Sequence, residues 1–484
     1  MNNLRDRYQR RTSALVVISS ITTALTLFGI FRFTAELLSV KWIGAWSLVQ
    51  GLFLVARVSD SGAGNNISRV IAVRVKNGAQ LDLQNLTVAS LIIACVPSIL
   101  LSIMTAPAIG FYVAARFGGD LDRAGLWALV WLALLNAIFA AMSNILLAIC
   151  EGVFQLNYKS TVVIAGNVAG LMALVPLLDV AGPAGVGWAY VVISGTQLVL
   201  AAIRVSQLVR SEPAGHHLTI SEHIRLLWRE NFHLSGIAMI RLSFEPTTKF
   251  LLSLFAPLIV IAQFELALRV TTQVRIVIQS ALQPLLVLGA RARGDAHATL
   301  RETFLRNDRV LSSLSLGGLV AQILAAPATQ WLGMGFQTTI FTVFFALLAT
   351  GNAINTMGIS GYYWQLSSGS LYPLVRVQAL MAAGNICLGA IGLVLGSAAV
   401  VVAAYSAVFA YGGLTTRSFL PDVPRVTRVL APCLVVAGGV LASAVVLLLH
   451  PRSLVAVSLL LSGAMVIGGM CLYSSYRIYR RTYT

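Results

Sequence analysis

The chain has 484 residues, of which 57% are hydrophobic and only 11% charged, a balance that would leave a soluble globule without a polar surface. Apolar runs of roughly 18 or more residues, enough to cross ~30 Å of hydrocarbon at about 1.5 Å per residue, recur along its whole length. The net charge of +17 does not signal nucleic acid, because the positions of the basic residues have another cause.

Fourteen spans are predicted in chain order, near residues 14–36, 43–70, 85–113, 124–150, 160–180, 184–208, 232–255, 257–287, 309–330, 337–358, 373–395, 396–416, 427–449 and 453–475. Arg5, Arg7, Arg10 and Arg11 precede the first span, which lacks a small-residue cleavage site and reads as a retained helix. With the N-terminus placed in the cytoplasm, 22 basic residues fall on inside segments and four on outside ones, Lys41, Arg116, Arg123 and Arg452. This positive-inside pattern supports an even helix count and cytoplasmic termini, with attraction to anionic lipid as a secondary effect. The remaining basic residues lie within or at the edges of spans.

Cys95, Cys150, Cys387, Cys433 and Cys471 are scattered singly, with neither a disulfide framework nor metal-ligand spacing. His216, His217 and His223 sit in the basic interval between spans six and seven, where solvated surface is the plain expectation. No metal site and no cofactor are expected.

That interval, Arg204 to Glu230, is the longest polar stretch and divides the chain into comparable halves. The expected domains are residues 1–210, a six-helix lobe; 211–230, a cytoplasmic linker; 231–418, a second six-helix lobe; and 419–484, two further helices and a basic tail. Because six is even, the lobes are expected as parallel repeats, with the site at their interface near mid-membrane. The fold class is an all-α polytopic membrane protein.

Within the seventh span, RLSFEPTTKFLL carries Arg241, Glu245 and Lys249 one helical turn apart, with Pro246 among them. A charge at bilayer depth costs several kcal/mol, so such residues are functional candidates by default. The surrounding segment, KFLLSLFAPLIVIAQFELALRVTTQVRIVIQSALQPLLVLGARARGDAHATLRETFLRND from Lys249 to Asp308, resembles the seventh and eighth helices of polysaccharide-transporter flippases. VKWIGAWSLVQGLFLVARVSDSGAGNNISRVIA and LLAICEGVFQLNYKS are similar to that family's second helix and its connection from the fourth helix to the fifth. The family, Wzx-type in bacterial usage, belongs to the multidrug, oligosaccharidyl-lipid and polysaccharide (MOP) exporter superfamily. The resemblance implies two six-helix lobes with two extra helices in the bacterial inner membrane. It also implies transport of a polyprenyl-diphosphate-linked oligosaccharide from the inner to the outer leaflet for cell-surface polysaccharide. Membrane lipid and other polysaccharide-assembly membrane proteins are the remaining partners it suggests. The arginine-rich start, aspartate and proline-asparagine pair usual in lipid II flippases are not found.

Such a substrate presents two phosphates, many hydroxyls and an apolar tail, and phosphates favour Arg and Lys. Arg241, Glu245 and Lys249 then read as an electropositive ladder with Glu245 as counter-charge or proton acceptor, or as a self-neutralising triplet that pins the helix. Pro246 reads as a hinge or exposed carbonyl, or as a tolerated membrane proline. On the eighth helix Glu265 and Arg269 form a second i, i+4 pair, followed by Gln273, Arg275, Gln279 and Gln283. The amides suit either sugar hydroxyls or interhelical hydrogen bonds. Arg57 and Asp60 stand one turn apart before SGAGNN, where a broken helix offers N–H groups to an anion or marks the cytoplasmic mouth. Asp60, Glu245 and Glu265 are the acids available for ion coupling.

No Gly-rich loop ending in Gly-Lys-Ser or Gly-Lys-Thr occurs, which argues against ATP hydrolysis by this chain. A membrane polymerase or glycosyltransferase would need catalytic groups on sizeable outer loops, and these loops are short. The chain is therefore not expected to be an enzyme. The alternative within the superfamily is a cation-coupled small-molecule exporter.

Overall fold

The computed structural model describes residues 2–56, 64, 67–68, 70–72, 82–211, 219–225, 227, 240, 243–291, 297–334, 338–368, 372–421, 431–440, 442 and 446. Every regular element among them is a helix. The protein is an all-helical polytopic membrane protein. Nine of its described helices are long and apolar enough to cross a membrane, and Val40–Val55 and Ala431–Val440 are shorter apolar helices. Large apolar side chains such as Met104, Phe111, Met172 and Val394 stay exposed on helix surfaces. Lipid tails are as apolar as these side chains, so the exposure carries no penalty in a bilayer.

Contacts group the chain into two compact units, Met1–Phe250 and Leu251–Thr484. The first contains α1 (Asn2–Leu37), α2 (Val40–Ala56), α3 (Leu83–Phe117), α4 (Arg123–Gly152), α5 (Leu156–Ala181) and α6 (Ala184–Arg210). α7 (Phe244–Phe255) carries the division within it. The second contains α8 (Leu258–Arg291), α9 (His297–Met334), α10 (Thr339–Met357), α11 (Ile359–Ser368), α12 (Tyr372–Val394) and α13 (Ala398–Arg417).

In the first unit α6 packs on α4 and α5, α1 on α5, and α3 on α4. Helix starts are fixed by side-chain caps: Asp82 accepts the Asn85 N–H at 3.0 Å, and Asp122 accepts the Gly125 N–H at 2.7 Å. One core cluster joins Leu86, Ala94, Ile145, Ile149, Val162 and Ala201. Leu227 enters the same cluster, and His223, one turn earlier, is fully buried, with Nδ1 3.2 Å from the Thr219 carbonyl oxygen. The expectation of a solvated His223 is thereby corrected. Thr219 and Glu222 form a capping box, and the short turn they start lays His223 against the core.

In the second unit α13 packs on α10 and α12, and α10 on α8 and α9. The same tight connection joins the last two helices of α1–α6 and of α8–α13. Gly182 between α5 and α6 and Gly396 between α12 and α13 both take positive φ, 55° and 60°, a conformation strained for other residues. At one end of this unit Phe304, Leu311, Ile359, Tyr363 and Leu420 form a second cluster. Beside it the Arg417 guanidinium grips Asp308 bidentately, Nε to Oδ1 at 2.8 Å and Nη2 to Oδ2 at 2.7 Å, and also donates to Ser312 Oγ.

Most helix boundaries fall within a few residues of the predicted spans. The helices of the first and ninth begin earlier, at Asn2 and His297. Of the seventh predicted span, residues 232–239, 241 and 242 lie outside the described residues, and its described helix begins at Phe244, after a turn at Ser243. α11 was not expected as a separate helix. The last two predicted spans lie mostly outside the described residues.

Candidate functional site

Pro246 is the third residue of α7. The first four N–H groups of a helix have no partner inside it, so a proline there forfeits no intrahelical bond and presets the backbone for the first turn. Pro246 therefore starts the helix and neither hinges it nor frees a carbonyl within it. Glu245 occupies the same first turn, where the positive end of the helix favours a carboxylate.

One turn on, the Lys249 side chain is 0% exposed. Its Nζ donates to Glu245 Oε1 at 2.6 Å and to the main-chain carbonyl of Ser47, on α2, at 3.2 Å. Two acceptors offset the cost of removing an ammonium from water, which for an unpaired charge would be several kcal/mol. Glu245 keeps 17% of its side chain exposed. Arg241 lies outside the described residues, as do Arg57 and Asp60, so Glu245 and Lys249 are what the structure describes of the expected ladder.

In the second unit α8 carries the rest of the candidates. Glu265 is buried and pairs with half-exposed Arg269, Nε to Oε1 at 2.7 Å. Arg275, six residues on, points to a different face of the helix, because six residues do not complete two turns. Its Nη1 donates to Asn355 Oδ1 at 2.9 Å, and its guanidinium lies 5.3 Å from the Phe409 ring centroid. Phe409 stacks on Tyr405 with centroids 4.6 Å apart, and Asn355 Nδ2 donates to the Phe409 carbonyl at 3.0 Å. A neutral amide and an aromatic face thus both contact this cation. Gln279 is half-buried one turn beyond Arg275; the Gln283 side chain lies outside the described residues.

A small pocket, with room for about one water, opens beside Arg275 and is lined among others by Val274, Ile278, Ser315, Gln322 and Asn352. Asn352 Nδ2 donates to Thr271 Oγ1 at 3.1 Å, whereas Asn352 Oδ1, Gln322 Oε1 and Ser315 Oγ are buried without a partner among the described residues. Buried oxygens of this kind call for a donor, which a water supplies. Sequence reasoning missed Ser47, Asn352 and Asn355. For the last two a signal existed: GNAINTM places two amides three residues apart in an apolar span, where polar side chains are costly. Ser47 acts through its main chain, which no side-chain pattern reveals.

Among the described residues no group of three or more His, Cys, Asp or Glu could hold a metal ion. No protein-family model matches the chain, and no curated protein does. Solved structures do match. An inward-facing multidrug-resistance MATE-family transporter of the MOP superfamily superposes with TM-score 0.66 at 14% identity, covering 90% of this chain and 99% of its own. The lipid II flippase MurJ, in an inward closed conformation, gives 0.67 at 14% identity over 98% and 99%. A Vibrio cholerae MATE transporter, VcmN, gives 0.55 at 16% identity over 85% and 97%. The chain therefore carries, over nearly its full length, the polytopic helical fold shared by these MATE transporters and MurJ.

Proposed function

We propose that the protein is a flippase that moves a polyprenyl-diphosphate-linked oligosaccharide across the bacterial inner membrane by alternating access, with both termini cytoplasmic. The observation that carries this reading is Lys249, an ammonium with no exposed surface inside an apolar helix, paired with a carboxylate that solvent still reaches. A helix that needed only packing would gain more from a leucine, since buried ion pairs often return less than their desolvation costs. A diphosphate can replace Glu245 at the ammonium, and Glu245 then becomes free to take a proton. Arg275 offers a second cation, in contact with Asn355 and the Phe409 ring. The likeness to a lipid II flippase supports a lipid-linked substrate.

The test is translocation, in proteoliposomes, of a fluorescent polyprenyl-diphosphate oligosaccharide against a phosphate-free polyprenyl sugar, with an imposed pH gradient or potential as variable. Movement of the diphosphate lipid alone is the expected result, and the gradient that accelerates it identifies the energy source. Equal movement of both lipids, or of neither, contradicts the proposal.

A second reading, a cation-coupled small-molecule exporter, is favoured by one observation. The Arg275, Phe409 and Tyr405 group sets a cation beside stacked rings, surfaces that an aromatic small molecule can contact, and the fold is equally that of a multidrug MATE transporter. Accumulation of a cationic dye by the same vesicles, without lipid movement, would establish it.

A further inference from the structure

Gly51 lies one helical turn after Ser47 on α2 and is buried against Lys249. A Cβ added to it would stand 2.7 Å from Lys249 Cδ and 3.5 Å from Nζ, closer at Cδ than side chains approach. The lysine stem cannot step aside freely. It has no exposed surface, and its ammonium is tethered to Glu245 Oε1 and to the Ser47 carbonyl. Glycine inside a helix is less stable than alanine, so a buried glycine in the middle of α2 calls for a local reason. Passage of the Lys249 stem is that reason. One turn of α2 thus supplies both the notch for the stem, at Gly51, and an acceptor for the ammonium, at Ser47.

We propose that Gly51 is the positioning residue for the Lys249 ammonium. It touches no substrate; it acts by leaving the space through which the lysine reaches Glu245 and the Ser47 carbonyl. Its consequence for transport rests on the reading of Lys249 as the diphosphate-binding group, and the test separates the two claims.

The full-length protein in liposomes is compared with Gly51→Ala, Lys249→Ala and the double variant. The first measurement is the rate at which acetic anhydride modifies Lys249, read by mass spectrometry of the peptide that carries it. Displacing the ammonium from two charge-assisted hydrogen bonds is expected to raise that rate about tenfold in Gly51→Ala. An unchanged rate overturns the proposal. The second is the ratio of diphosphate-lipid to phosphate-free-lipid translocation. It is expected to fall about tenfold in Gly51→Ala, and the double variant is expected to lose no more than Lys249→Ala alone, because the glycine acts through the lysine. Losses that add in full assign Gly51 to general packing and overturn the proposal. A raised modification rate with a parental ratio upholds the notch and removes the phosphate role of Lys249. Should Gly51→Ala fail to accumulate, recovery of folded protein in the double variant supports the notch, and failure to recover overturns it.

Discussion

Two ion pairs, one in each unit, have the same charges and opposite designs. Arg417 and Asp308 are almost fully buried, joined by two parallel hydrogen bonds and reinforced by Ser312. Lys249 Nζ meets Glu245 Oε1 at 2.6 Å; the ammonium also donates to a main-chain carbonyl, and the carboxylate remains partly open to solvent. The bidentate pair fixes α9 to the end of α13 and leaves no place for a competing ion. Under the proposed function, the open pair exchanges its carboxylate for the substrate's phosphate. Buried charge alone therefore does not mark a site; the geometry of its compensation does.

The largest effect belongs to the closed pair. Arg417→Ala strands a buried carboxylate and is expected to cost about 3–5 kcal/mol of stability, seen as a fall in the thermal midpoint of the detergent-solubilised protein. Replacing both partners, Asp308→Leu with Arg417→Met, is expected to restore most of that stability and keep transport, which would confine the pair to structure. Lys249→Ala should do the reverse, cutting diphosphate-lipid translocation roughly tenfold to hundredfold while folded protein persists, as expected for loss of a charge-assisted hydrogen bond. If it instead lowers the thermal midpoint as Arg417→Ala does, the contrast between the pairs fails. A smaller effect is expected of Arg275→Lys, which keeps the charge and loses the planar fork and ring contact: about 1 kcal/mol, or roughly fivefold in transport rate.

The smallest effect lies outside the membrane. The Thr219 N–H and hydroxyl, donating to Glu222, hold its carboxyl below the usual 4.5. A group with a depressed folded pKa contributes stability above its unfolded value and loses it as pH falls through the folded one. Thermal midpoints of the parent should therefore drop slightly as pH falls below about 4.5, and Glu222→Ala should lack that component of the drop.

Hydropathy made most of the fold legible, because a membrane helix has to satisfy its own backbone and hide no polar face. The positions of α3, α4, α5 and α6 follow from it to within a few residues. The place of Pro246 in the first turn of α7 was not legible, because a span-length window cannot tell a proline within a helix from one near its start. The i, i+4 pairs Glu245 with Lys249 and Glu265 with Arg269 were readable, being local. Arg417 and Asp308 are 109 residues apart, and nothing in either neighbourhood announces the other. Ser47 and Gly51 were hidden for a different reason: one contributes a main-chain oxygen and the other an absent side chain, so neither alters the pattern of residue types.

The most direct test of the account compares the parent protein with Lys249→Ala in the same liposomes, each offered the diphosphate-linked and the phosphate-free polyprenyl sugar. The account predicts that the parent moves the diphosphate lipid in preference, and that the substitution abolishes this preference at unchanged protein content. Equal preference in both proteins would contradict it and leave the buried lysine a structural cation.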